Sequence, residues 1–124
     1  MPADPSASKD LAELEDPDDR KLLTLARSTR TRTRAAEGAC VRDTDGRTYA
    51  AATVRLPSLQ LSAVSVAVAM AVSSGAQGLE AVVVLGEAPV VAEGDLSVVR
   101  DFAGAGVPVH LAAPDGTVVA SLMS

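Results

Sequence analysis

The chain has no tryptophan and only one tyrosine and one phenylalanine, Tyr49 and Phe102. Without rings on which bases can stack, it lacks the usual equipment for gripping single-stranded nucleic acid. A single cysteine, Cys40, excludes an intramolecular disulfide and fits a reducing cytoplasm. The first ten residues are polar and contain no apolar core of a signal peptide. Long hydrophobic runs are missing as well. The longest, Leu59–Val72, is interrupted by Ser62 and Ser65, too short for a bilayer, and reads as a buried helix. These absences point to a cytoplasmic protein with no membrane association. Lysine is scarce too, with only Lys9 and Lys21, and the bias to Ala, Val, Arg and Asp suggests a GC-rich bacterial genome.

What is present is ample aliphatic material. Of 124 residues, 48% are hydrophobic and 22% charged, enough for one domain with a core of Ala, Val and Leu. The net charge of −5 is uneven. Residues 1–19 hold seven acids against Lys9, whereas the remainder holds ten basic and nine acidic residues, a balance of +1. Residues 1–15 are therefore expected to form a disordered acidic arm, and residues 16–124 the folded domain.

Asp16-Pro17-Asp18-Asp19 is a helix start: a capping acid, a proline suited to the first position, and acids at the positive helix end. Leu22, Leu25 and Ala26 continue it before it fades in the run Arg27–Arg34. Gly38–Asp43 and Arg47–Arg55 are strands joined by the turn Asp43-Thr44-Asp45-Gly46. Pro57-Ser58 starts a second helix that stops at Gly75. That helix is apolar almost all round and needs cover on most sides. Ala81–Leu85 reads as a central strand buried on both faces. Asp95 is expected to cap a third helix that buries Leu96, Val98, Val99 and Phe102. Strands over Val107–Ala112 and Thr117–Leu122 follow, joined by a turn at Pro114-Asp115-Gly116. The order α-β-β-α-β-α-β-β predicts a mixed five-stranded sheet with helices packed on it.

Several stretches carry a resemblance. Gly38-Ala39-Cys40-Val41 followed by Asp45-Gly46-Arg47-Thr48-Tyr49 is similar to a Gly-Ala-Ala hairpin with an Asp-Gly turn found in the cytidine deaminases. Ala63 through Gly75 resembles the zinc-bearing helix of that family, and Val98–Phe102 resembles the end of its second motif helix. The resemblance spans residues 19–122. It implies a three-layer α/β/α sandwich and a homo-oligomer, dimer or tetramer.

The chemical residues of the family do not carry over. Counting back from Gly75, the first zinc ligand, the alanine and the catalytic glutamate of the family fall on Ser62, Ala63 and Val64. Counting back from Phe102, the Pro-Cys-x-x-Cys motif falls on Val91 through Asp95, so that Ala92 and Asp95 stand where its cysteines would be. Catalytic zinc takes three protein ligands and an open position for water. The deaminases use it to make hydroxide near neutral pH and use the glutamate to move protons. Neither zinc nor a catalytic residue is therefore expected. The family's sugar-binding Asn-x-Glu-Asn segment is matched only by Thr53-Val54-Arg55-Leu56, where a cation replaces an acceptor, and its aromatic loop only by Thr33–Glu37.

The remaining candidates have plain readings. Ser62 and Asp95 read as helix caps or first-turn residues that, with Thr53 and Arg55, line what is left of a pocket. Cys40 is a small core residue, His110 a strand residue with an ordinary hydrogen bond, and Met70 core or interface filler. Arg27, Arg30 and Arg34 share a helical face with Arg32 nearby, a solvated face before it is a phosphate or RNA patch, and the overall charge argues against nucleic acid. The leading expectation is a non-catalytic, zinc-free protein that works by self-assembly or by binding a protein partner. The competing ones are a nucleoside deaminase with an atypical site and an RNA- or ribosome-associated accessory protein.

Overall fold

The computed structural model describes residues 14–124. Most of the acidic arm expected over residues 1–15 lies outside the described residues.

Helix α1 (Pro17–Thr33) begins as its sequence dictates. Asp16 Oδ1 accepts from the Asp18 amide at 2.8 Å, and Asp18 and Asp19 occupy the first turn. The helix does not fade in the Arg/Thr run. Thr29 is buried, and Thr33 Oγ1 donates to the Thr29 carbonyl at 2.7 Å. It ends at Arg34, whose left-handed backbone (φ 56°) turns the chain toward the sheet.

The hairpin β1 (Glu37–Asp43) and β2 (Thr48–Ala52) follows. Asp43 builds its turn: Oδ1 accepts from the Asp45 and Arg47 amides, both at 2.9 Å, and Oδ2 accepts from the Tyr49 hydroxyl at 2.8 Å. The next segment departs from expectation. The single strand expected to Arg55 stops at Ala52, and a second small hairpin forms from β3 (Val54–Leu56) and β4 (Leu59–Leu61). Pro57-Ser58, expected to open a helix, is its two-residue turn, and Leu59-Gln60-Leu61 alternates as a strand does. The helix proper, α2 (Ala63–Ser73), starts after Ser62 and stops before Gly75 (φ 86°).

Strand β5 (Leu79–Gly86), helix α3 (Glu93–Ala103), and strands β6 (Pro108–Ala112) and β7 (Val118–Met123) complete the chain. The main sheet has the order β2-β1-β5-β6-β7. Only β5 and β6 run parallel; the other neighbours are antiparallel. The mixed five-stranded sheet is thus as expected.

Alternation along β5 divides the core. Ala81, Val83 and Leu85 pack with Leu22, Ala26 and Cys40 beneath α1. Val82 and Val84 pack with Val64, Ala67, Val68 and Val99 beneath α2 and α3. The result is a three-layer sandwich of α1, sheet, and α2 with α3. Gly38 lets α1 lie directly on β1: a Cβ there would stand 2.1 Å from the Ala26 carbonyl oxygen. Arg42 and His110 tie the start of α1 to the sheet, each pairing with Asp19, at 3.0 and 3.3 Å.

Candidate functional site

The starts of α2 and α3 meet. Ser62 takes an extended backbone and caps α2, its Oγ accepting from the Ser65 amide at 3.1 Å. The same hydroxyl donates to Asp95 Oδ1 at 2.6 Å. Asp95 does not cap α3, as the sequence suggested. The cap position belongs to Ala92, which supplies no side-chain bond, and Asp95 lies in the first turn with its carboxylate buried. Its charge there suits the positive helix end, and its bond reaches across to the neighbouring helix instead of back to its own amides. Val64, in the first turn of α2, is fully buried in the core.

Beside this junction opens a cleft of about 530 Å³, the size range of small-molecule sites. Thr53, Arg55 and Ser62, read from the sequence as pocket residues, all line it. Asp95 is not in its wall and touches it through Ser62. Glu37, Gln60, Arg30 and Glu87 also line it, and sequence reasoning gave none of them this place.

The hairpin register held the signal for Glu37. It opens β1 directly opposite the end of β2, where its amide donates to Thr53 Oγ1 at 3.0 Å and its carbonyl accepts from the Thr53 amide at 3.2 Å. Burial raises the Glu37 carboxyl above its ordinary value, and the Asp95 charge adds to this. The Ala63 amide and the Arg55 charge oppose the rise. One acidic residue therefore senses both helix starts and the mouth of the cleft.

The arginine face divides. Arg30, brought against β1 by the close approach at Gly38, donates from Nε to the Ala36 carbonyl at 3.1 Å and lines the cleft. Arg27 and Arg32 instead flank a separate groove of about 600 Å³ beside Asp115 and Gly116.

Cys40 and His110 serve the fold. Cys40 is buried under α1, and burial pushes its thiol up to about 11, far from a reactive thiolate. His110 bonds Ser121 Oγ at 2.8 Å on β7 as well as Asp19. Among the described residues, no three His, Cys, Asp or Glu side chains gather where they could hold a metal ion. Nor is any helix among them long and apolar enough to cross a membrane.

Comparison with known proteins agrees with this architecture. Among solved structures, cytidine deaminase from Burkholderia pseudomallei superposes with a TM-score of 0.71 at 20% identity, over 85% of this chain and 90% of that one. Cytidine deaminase from Mycobacterium leprae gives 0.66 at 18%, over 84% and 95%. That from Mycobacterium tuberculosis gives 0.64 at 21%, over 82% and 89%. At such identities the likeness is one of fold. No curated protein sequence matches the chain. The family model described as cytidine deaminase-like matches residues 15–116, most of the domain, and the chain belongs to that family.

Proposed function

We propose that this chain is a non-catalytic, zinc-free member of the cytidine deaminase-like family that works by assembling with copies of itself. The observation that carries the reading is the bond between Ser62 and Asp95. The resemblance assigns the metal and proton-shuttle positions to Ser62, Val64, Ala92 and Asp95. In their place stand a hydroxyl and a carboxylate already bonded to each other, a buried isopropyl group and a methyl group. A catalytic zinc needs three donors and an open position. This donor set does not fit that ion, and Val64 has no proton to give.

Self-assembly is supported by the outer face of α2. The helix has no charged residue, and Met70 and Val72 are 39% and 50% exposed. Leu56 and Leu59 on the β3–β4 hairpin are also exposed. Exposed apolar side chains on a helix without charge support an interaction surface, and a second copy offers an identical surface in return.

Purified full-length protein tests both parts. Elemental analysis is expected to find no stoichiometric zinc, and cytidine to persist with or without a chelator. Sedimentation is expected to show an oligomer that Met70→Glu converts to monomer. Zinc at one equivalent with chelator-sensitive turnover would establish the second reading, a nucleoside deaminase with an atypical site, which family membership favours.

A further inference from the structure

A second cleft, of about 270 Å³, adjoins the first, and the two share Ala36, Thr53 and Arg55 in their walls. Together they form one trough. Arg55 stands where the two join, Arg30 lines the larger part and Arg34 the smaller. None of the three arginines lies within ion-pair distance of a carboxylate among the described residues, whose ion pairs involve Arg42, Arg100 and His110. Three guanidinium groups so placed attract an anion, and the planar forks suit phosphate oxygens.

The rest of the wall is of another kind. Glu37 and Glu87 present carboxylate acceptors, Gln60 offers both donors and acceptors, and the Thr53 hydroxyl, which donates to the Glu37 carbonyl, keeps an acceptor lone pair. Such groups recognise hydroxyls. No ring lines the trough: Tyr49 is turned to Asp43, and Phe102 packs against the α2–α3 core. A base would find nothing to stack on.

Arg34 adds a separate observation. It holds a left-handed backbone where glycine is the residue of lowest cost. The position costs an arginine backbone energy that glycine would not incur, and its guanidinium lines the smaller part of the trough.

We propose that this trough binds a small phosphorylated sugar, with the phosphate held by Arg30, Arg34 and Arg55 and the sugar hydroxyls by Glu37, Gln60 and Thr53. It is a binding site independent of whether the protein assembles.

Titration calorimetry of the full-length protein at low salt tests the proposal, with ribose 5-phosphate as probe and ribose, inorganic phosphate and cytidine as controls. Ribose 5-phosphate is expected to bind about tenfold or more tightly than any control. Arg55→Gln and Arg34→Gly are each expected to weaken it by about tenfold, with Arg34→Gly melting no lower than the parent. Three results would overturn the proposal: no binding of ribose 5-phosphate, inorganic phosphate or cytidine binding as tightly, or undiminished binding by both variants.

Discussion

Ser62 and Asp95, thirty-three positions apart, are joined by a 2.6 Å hydrogen bond that links the first turns of two helices. The serine also caps α2, so one hydroxyl serves two elements.

Ser62→Ala should therefore cost more than an ordinary cap. A cap and a hydrogen bond to a buried carboxylate are lost together, about 2 kcal/mol or more in chemical denaturation. Asp95→Ala should be less harmful in the Ser62→Ala background than alone, with a coupling of about 1 kcal/mol. Additive effects would show that the two side chains do not depend on each other.

Gly38→Ala has no room to relax. Its new methyl would meet the Ala26 carbonyl and the Arg30 Cβ, at 2.1 and 2.9 Å, so α1 must lift from β1. A loss of about 3 kcal/mol is expected from such overpacking. Because the same contact seats Arg30, ribose 5-phosphate affinity should fall with it.

Tyr49→Phe should change acid stability. Burial pushes the Asp43 carboxyl up, but the Tyr49 hydroxyl and the Arg47 and Asp45 amides outweigh it and hold the group below its ordinary value. A depressed acid contributes stability above its unfolded pKa and loses it as pH falls through the folded one. Without the hydroxyl the folded pKa rises, and the midpoint of acid unfolding should move to higher pH.

Glu37→Gln should do the reverse at the other end of β1. Burial and Asp95 raise the Glu37 carboxyl, so the folded chain holds that proton more tightly than the unfolded chain. Stability falls as pH rises through the window between the two values, and the ionised group is a net cost at neutrality. The variant should gain on the parent in thermal melts as pH rises from the carboxylate range to 7. An unchanged difference across that range would refute this.

The sheet was legible because its signals are local. A continuous, β-branched apolar run marks β5, and Asp45-Gly46 marks the turn that sets β1 against β2. The β3–β4 hairpin was hidden because Leu59 and Leu61 merge with the apolar helix behind them, and periodicity cannot divide a continuous apolar run. Thr53, Arg55 and Ser62 could be placed at one cleft because the resemblance aligns them with the family's sugar-binding segment and first zinc position. The role of Asp95 could not. Its partner is on another helix, so the residue that looks like a cap spends its carboxylate elsewhere while Ala92 takes the cap position. Arg30 was equally out of reach, because its position depends on how closely α1 approaches Gly38.

Strand β5 is hydrogen-bonded on both edges and roofed on both faces. Its amides cannot meet solvent unless the two halves of the interior come apart together. In native-state deuterium exchange, Val82, Val83 and Val84 should be the last to label, at the free energy of global opening. The small β3–β4 ribbon, outside the main sheet, should exchange through fraying alone. Val54, Arg55, Gln60 and Leu61 of the trough's lining would then open at far lower cost than the sheet beside them.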